Sequence, residues 1–229
     1  EFANAIQSSS IDPSSSADRQ VLLMKVDQLA DKFNTIEKRL SVLQSDIDLD
    51  VAGRVKDAND LLGRIPKLAN DAAAAALLGG NGGVPKDLLQ GKLEELSKFV
   101  VFETSYDEQS RITVTVNGVT LVKANEQIGA LAVEKDASGH NQVLAKTNDG
   151  SASAPLSGGG ALMGLVEGRD GSIQTLRAKI DKVAADLIQK FNAIHMGGKN
   201  LDGGSGLAFF EGTGAADIRS EEHTSELQS

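Results

Sequence analysis

The sequence predicts a mainly α fold with a β-rich insertion, in which long antiparallel helices form a helical-bundle shaft and a small β-hairpin element sits between them. Three observations carry this. Apolar residues near the start recur at an average spacing of 3.5. A period-two alternation brackets Asn117-Gly118. A second run of helical spacing extends from Leu162 to Ile194. The composition agrees, because with 40% apolar residues but only 3% aromatic the core must come from Leu, Ile, Val and Ala. Such a core suits packed helices better than a compact β-sandwich.

Residues 1–16 read as a short segment followed by a loop. The stretch from Ser8 to Ser16 holds Asp12, Pro13 and a run of serines, whose oxygens accept from the free backbone N–H groups of a starting helix. From Asp18 the apolar positions are Leu22, Val26, Leu29, Phe33, Ile36, Leu40, Leu43 and Ile47, in alternating steps of four and three. That is one narrow seam on a helix, the pattern of coiled-coil packing. Val51 and Val55 follow at steps of four, a stutter that lets the seam drift. Leu61, Leu62, Ile65 and Leu68 carry it on. Unbroken from Asp18 to Leu62, the helix would be about 68 Å long at about 1.5 Å per residue. Pro66 lacks an N–H and clashes with the preceding turn, at ~3 kcal/mol in a helix interior, so a kink or break is expected there. An Ala-rich turn and the glycines from Gly79 to Gly83 then end the segment.

Pro85-Lys86-Asp87 opens a short helix with Leu88, Leu89, Leu93, Leu96 and Phe99 directed inward, weakened at Gly91 by about 1 kcal/mol relative to Ala. Arg111 to Val122 alternates on both sides of Asn117-Gly118, a strong short-range hairpin signal. Val100 to Thr104, Leu131 to Glu134 and Gln142 to Ala145 are expected companion strands. The returning helix carries Leu162, Val166, Ile173, Leu176, Ile180, Val183, Leu187, Phe191 and Ile194, and Gly197-Gly198 stops it. The expected organisation is residues 1–99 as the first part of the shaft, 100–147 as the β-rich insertion and 148–161 as a Gly/Ser-rich loop. Residues 162–218 are the returning helix and a turn-rich connector.

Several function classes are set aside by what the chain contains. It has no Cys, so no disulfide, thiol nucleophile or Cys-based zinc site is expected. A formal net charge of −9 argues against a nucleic-acid partner or an anionic membrane surface. No apolar run approaches the roughly 20 residues that span a bilayer. No charged-then-apolar leader pattern is visible. The chain is therefore expected to be cytoplasmic, to leave the cell without a cleaved signal, or to lack its natural start. No catalytic, cofactor-binding or metal site is assigned, and no small-molecule substrate is expected. Gly203-Gly204-Ser205-Gly206-Leu207 misses the last glycine of a nucleophile elbow, and Gly198-Lys199 lacks the rest of a phosphate loop. Asn200 to Gly206 lacks the full spacing and terminal Glu of a calcium loop. Asp46, Asp48 and Asp50 diverge around a helix, and Gly158-Gly159-Gly160 reads as a hinge more readily than as an anion cradle. His195 at a helix C-terminus reads as a capping or packing residue, and His140 has no visible partner.

The last eleven residues, Arg219 to Ser229, have no apolar face and read as the in-frame translation of a sequencing-adapter oligonucleotide. They are set apart as an artefactual tail, 219–229; without its one Arg and three Glu the charge moves from −9 to −7.

Five stretches, in order, resemble the flagellar hook-associated protein 1 family. The first is Asp12-Pro13-Ser14-Ser15 with Leu29-Ala30-x-x-Phe33-Asn34. Asn59-Asp60-Leu61 follows on the long helix. Asp87-Leu88-Leu89 comes next, where Gln90-Gly91-Lys92 departs from the family's continuation. Gly164-Leu165-Val166-x-x-Arg169-Asp170 precedes the closing run Phe191-Asn192-x-x-His195-x-x-Gly198-x-x-Leu201-Asp202-Gly203 with Phe209-Phe210. The resemblance covers about residues 1–212. It implies that Asn34, Arg169, Asp170, Asn192, His195, Gly198, Asp202, Gly203, Phe209 and Phe210 are structural motif residues, with Arg169 paired to a carboxylate in the shaft. It implies a structural, non-enzymatic component of the hook–filament junction. Such a component would self-associate into a ring and contact other axial proteins, namely hook protein and the adjacent hook-associated protein. It would be extracellular and exported by the flagellar type III route. This chain would be an internal fragment of such a protein. The alternative is a coiled-coil binding module or an adhesin-like stalk. A stalk would continue its heptads past Ile47 without a stutter and would lack the run from Phe191 to Phe210.

Overall fold

A computed structural model describes residues 1–77, 83–136, 139–199, 204 and 208–220. The chain divides into two compact units. One is formed by residues 1–44 with those from Ser172 onward, the other by Ser45–Gly171. A single helix, α2 (Ser16–Leu77), contributes to both.

In the first unit, α1 (Phe2–Ile11) precedes a turn in which Asp12 Oδ1 accepts from the Ser14 N–H at 3.1 Å. Ser15 Oγ then accepts from the Asp18 N–H at 3.2 Å, satisfying a free donor at the start of α2. The returning helix α5 (Gln174–His195) packs antiparallel to α2, since Gln174 meets Gln44 while Ile188 packs with Val26 and Ala30. Phe210 and Ile218 complete that core, with Phe2, Leu22, Phe33, Leu187, Phe191 and Phe209 partly buried around it. After α5 the chain returns in a two-stranded ribbon, β8 (Phe210–Glu211) with β9 (Arg219–Ser220). The first two residues of the adapter-like tail thus form β9, and Glu221 to Ser229 lie outside the described residues.

In the second unit, α2 buries Val51, Val55, Ala58, Leu62, Ile65 and Ala69. The helix continues through Pro66 to Leu77, contrary to the break expected there. Ile65 is fully buried and Ala69 nearly so, on either side of the proline. Packing of this face offsets the lost N–H bond, as tertiary contacts routinely override local propensity. The expected end at Gly79 to Gly82 lies outside the described residues. Helix α3 (Gly83–Ser97) turns Leu89, Leu93 and Leu96 inward, whereas Leu88 is exposed.

The β insertion is two antiparallel sheets in this unit. The first has the order β1 (Glu103–Tyr106), β2 (Ile112–Val116), β3 (Val119–Lys123), β4 (Glu126–Gln127). The second is β5 (Gly129–Lys135), β6 (Asn141–Thr147), β7 (Ser153–Pro155). Asn117 and Gly118 both have positive φ, 51° and 81°, as the two-residue hairpin turn between β2 and β3 requires. The alternation seen in sequence becomes Ile112, Val114 and Val116 pointing inward. β7 lies within the segment expected to be loop. Asn59 on α2 fastens the second sheet: its side-chain amide donates to Leu131 O and accepts from Leu131 N–H, both at 2.8 Å, as a neighbouring strand would.

The returning helix is not one continuous α-helix. α4 (Ala161–Glu167) passes through a π-turn at Gly168–Ile173 into α5. Its first N–H groups are taken by carbonyls at the end of α3, Ala161 to Lys98 O at 2.9 Å and Leu162 to Phe99 O at 3.1 Å. Gly160 makes this approach possible, with φ 95° and a backbone so close that an added Cβ would sit 2.6 Å from Phe99 O. These carbonyls satisfy two of the free donors at the start of α4.

Candidate functional site

Two side-chain clusters and one surface stripe hold most of the motif residues. The first cluster closes the end of the first unit. The Asn192 amide accepts from the N–H groups of Phe209 and Phe210 at 2.8 and 2.9 Å and donates to Phe210 O at 2.7 Å. One side chain thereby fixes the backbone of both phenylalanines. Phe210 is buried and meets Phe191 edge-on at 5.4 Å between ring centroids, and Phe2 at 6.3 Å. Phe209 lies 4.7 Å from Phe191 and 5.0 Å from His195. Such tilted and edge-on pairs suit the quadrupoles of the rings. Asn34 on α2 donates to Ile218 O at 3.0 Å, and Gly198 N–H donates to His195 O at 2.9 Å where α5 ends. Asp181 accepts from Ala215 N–H at 2.9 Å, docking the connector on α5. Asp202 and Gly203 lie outside the described residues.

The second cluster is ionic and lies in the second unit. Arg169, only 1% exposed, sits in the π-turn. Its Nε and Nη2 donate to the two oxygens of Asp170 at 2.6 and 2.8 Å, and its Nη1 donates to Asp48 on α2. Asp170 foremost, and then Asp48, push the guanidinium above its already high ordinary pKa, against the opposing effect of burial. His140 Nδ1 stands 4.0 Å from Asp170. Of the acidic trio 46, 48 and 50, only Asp48 meets Arg169, since alternate residues diverge around a helix. Among the described residues no group of three or more His, Asp or Glu is placed to hold a metal ion. No helix among them is long and apolar enough to cross a membrane.

The surface stripe arises where α2 and α5 meet. Val26 is buried, while Leu22, Leu29, Phe33, Leu40 and Ile47 are half-buried, as are Ile173, Ile180, Leu187 and Phe191 on α5. Ile36, Leu43, Leu176 and Val183 are exposed instead of packed. The contact in this stretch is polar: Arg177 donates to Glu37 and to Gln44, and Gln44 donates to Gln174 at 3.2 Å. The residues that face inward are thus Glu37, Gln44, Arg177 and Ala184, each one position after an exposed apolar residue. A one-residue step turns a helix by about 100°. In antiparallel helices that step leads to the same side of the pair, so the four exposed residues share one face. Arg177 and Glu37 were not singled out by sequence. A charge next to a seam position reads equally well as a solvated flank.

The family model described as "Flagellar hook-associated protein FlgK helical domain" matches residues 1–210. Flagellar hook-associated protein 1 of Salmonella typhimurium is 28% identical over 202 residues, covering 85% of this chain and 36% of that protein. The protein of the same name in Bacillus subtilis is 24% identical over 242 residues, covering 93% of this chain and 47% of its own. The chain therefore spans between about a third and a half of the length of these relatives. The solved structure of the flagellar hook junction protein FlgK from Burkholderia pseudomallei shares the fold, with a TM-score of 0.80 at 19% identity, over 92% of this chain and 39% of that one. With a family match over nearly its whole described length, the chain belongs to the flagellar hook-associated protein FlgK family, as its helical domain.

Proposed function

We propose that this chain is a structural part of the bacterial flagellum at the junction of hook and filament. In this reading it assembles with further copies into a ring and with neighbouring axial proteins, hook protein and the adjacent hook-associated protein. It reaches that place outside the cell by the flagellar type III route, and it catalyses no reaction. The observation that carries the reading is the apolar face of Ile36, Leu43, Leu176 and Val183, held by a polar contact between α2 and α5. Exposed apolar stripes on paired helices are unfavourable in water and are relieved by helical neighbours. The family match supplies the context in which such neighbours exist. The seam residues Leu22, Val26, Leu29, Phe33, Leu40, Ile47, Ile173, Ile180, Leu187 and Phe191 hold the shaft, and the Asn192 and Arg169 clusters keep its shape.

Complementation tests this. The full-length parent protein should restore swimming to cells lacking their own hook-associated protein 1. The double substitution Leu43→Glu with Val183→Glu should abolish it at equal secretion. Normal swimming by the double variant would overturn the role given to this face.

A further inference from the structure

In the second unit, one exposed side chain joins the tip of the β2–β3 hairpin to the end of β7. Asn117 Nδ2 donates to Pro155 O at 2.5 Å, and Asn117 Oδ1 accepts from Ser157 Oγ at 2.5 Å. Both ends of a single amide thus clip the first sheet to the segment that leaves the second. The same amide stands at a chemically weak position. Asn117 is exposed to water and is followed by Gly118, where the space that a Cβ would fill is open. The backbone nitrogen after an asparagine is a nucleophile within reach of that residue's Cγ. A following glycine opposes its approach least, because it carries no side chain. The turn needs positive φ at both residues, 51° and 81°, which is why Asn and Gly stand there. The residues that make the turn therefore also make it reactive.

We propose that Asn117 is a site of spontaneous deamidation, slowed by Pro155 and Ser157, and that the change unclips the hairpin irreversibly. The Gly118 nitrogen forms a bond to Asn117 Cγ, the bond from Cγ to Nδ2 breaks, and ammonia leaves with the proton from Gly118. The product is a cyclic imide. Water then opens the ring at one of its two carbonyls. Opening at Cγ gives Asp at 117. Opening at the backbone carbonyl gives isoaspartate, whose main chain runs through the former side chain and is one carbon longer. Either product replaces the donor facing Pro155 O by a carboxylate oxygen, which repels that carbonyl. Isoaspartate also lengthens a turn that the pairing of Val116 with Val119 closes over two residues. For the ring to form, the amide must first leave both of its partners. At about fivefold in an equilibrium per hydrogen bond, the two bonds slow the reaction about 25-fold.

The full chain and its isolated tryptic peptide, residues 112–123, are incubated side by side in mildly alkaline buffer, and products are assigned by peptide mapping. The other Asn-Gly pair of the sequence, Asn81-Gly82, falls in a different tryptic peptide. Asn117 should convert about 25-fold more slowly in the folded chain than in the peptide, and Ser157→Ala, an exposed substitution, should speed the folded reaction about fivefold. Converted chains carry one more negative charge and separate by ion exchange. Their Val116 and Val119 amides should exchange hydrogen at least about fivefold faster than in the parent. Intact Asn117 in the folded chain long after the peptide is fully converted would overturn the proposal. So would equal rates in chain and peptide, no effect of Ser157→Ala, or unchanged exchange in the converted chains.

Discussion

Replacing Asn192 by Ala removes the three hydrogen bonds that fix Phe209 and Phe210. A hydrogen bond contributes about 1 kcal/mol net, and a buried backbone group left without a partner costs about 1–3 kcal/mol. Phe210 is 1% exposed, so water does not readily replace the lost acceptor at its N–H. The summed loss is about 3 kcal/mol. For a chain of this size each kcal/mol lowers Tm by about 2–4 °C, giving a drop of roughly 6–12 °C. The loss is local, because Asn192 serves one connector. Hydrogen exchange at the Phe209 and Phe210 amides should accelerate on the order of 100-fold, with each tenfold corresponding to about 1.4 kcal/mol. Amides in β2 and β3, in the other unit, should keep their rates. Asn192→Asp separates the acceptor from the donor. Its carboxylate still accepts from both N–H groups, but its other oxygen replaces the donor facing Phe210 O, so it should recover only part of the lost stability. A Tm change within about 1 °C for Asn192→Ala, with unchanged exchange at both amides, would refute the reasoning.

Two further outcomes follow from the ionic groups. Arg169→Ala leaves Asp48 and Asp170 without their cation and opens a buried volume. Thermal unfolding should show a loss of roughly 3–5 kcal/mol, and Arg169→Met, which fills the space, should lose less. Equal unfolding of parent and Arg169→Ala would exclude a structural role for the cluster. Asp149 accepts from the Ser151 N–H at 3.0 Å, and this bond first, then the hydroxyls of Thr147 and Ser151, lower its pKa to about 2. Its folded pKa is depressed, so its stabilising effect is complete above the ordinary carboxylate range and disappears as pH falls toward 2. Carboxyl NMR titration should place its midpoint near 2, and a midpoint near 4 would show that the turn does not hold.

Much of the fold was legible because it follows from local periodicity. The hairpin rested on Asn117-Gly118, where positive φ at consecutive residues admits few other residues. The seam of α2 was legible because Val26 and its neighbours repeat every three or four positions. The π-turn was not legible, since the apolar pattern from Leu162 to Ile194 runs through it without a break. Leu176 and Val183 therefore read as seam positions although they are exposed, while Leu187 and Phe191 do pack in the core. The 3.5 spacing also slides around a helix of 3.6 residues per turn, which moves Ile36 and Leu43 off the packed face and brings Glu37 and Gln44 onto it. Pro66 misled because its cost is local, whereas the burial of Ile65 and Ala69 that offsets it is tertiary. The motif residues Asn192, Phe209 and Phe210 meet through bonds spanning up to 18 residues, and Arg169 finds Asp48 across 121. No spacing rule connects positions so far apart, and resemblance to a family carried them instead.

The most direct test of the assembly reading is binding of the purified full-length parent protein to isolated flagellar hooks, viewed by electron microscopy. The account predicts capped hooks with the parent protein and bare hooks with Leu43→Glu, Val183→Glu at unchanged helicity. Bare hooks with the parent protein, or capped hooks with the double variant, would contradict it.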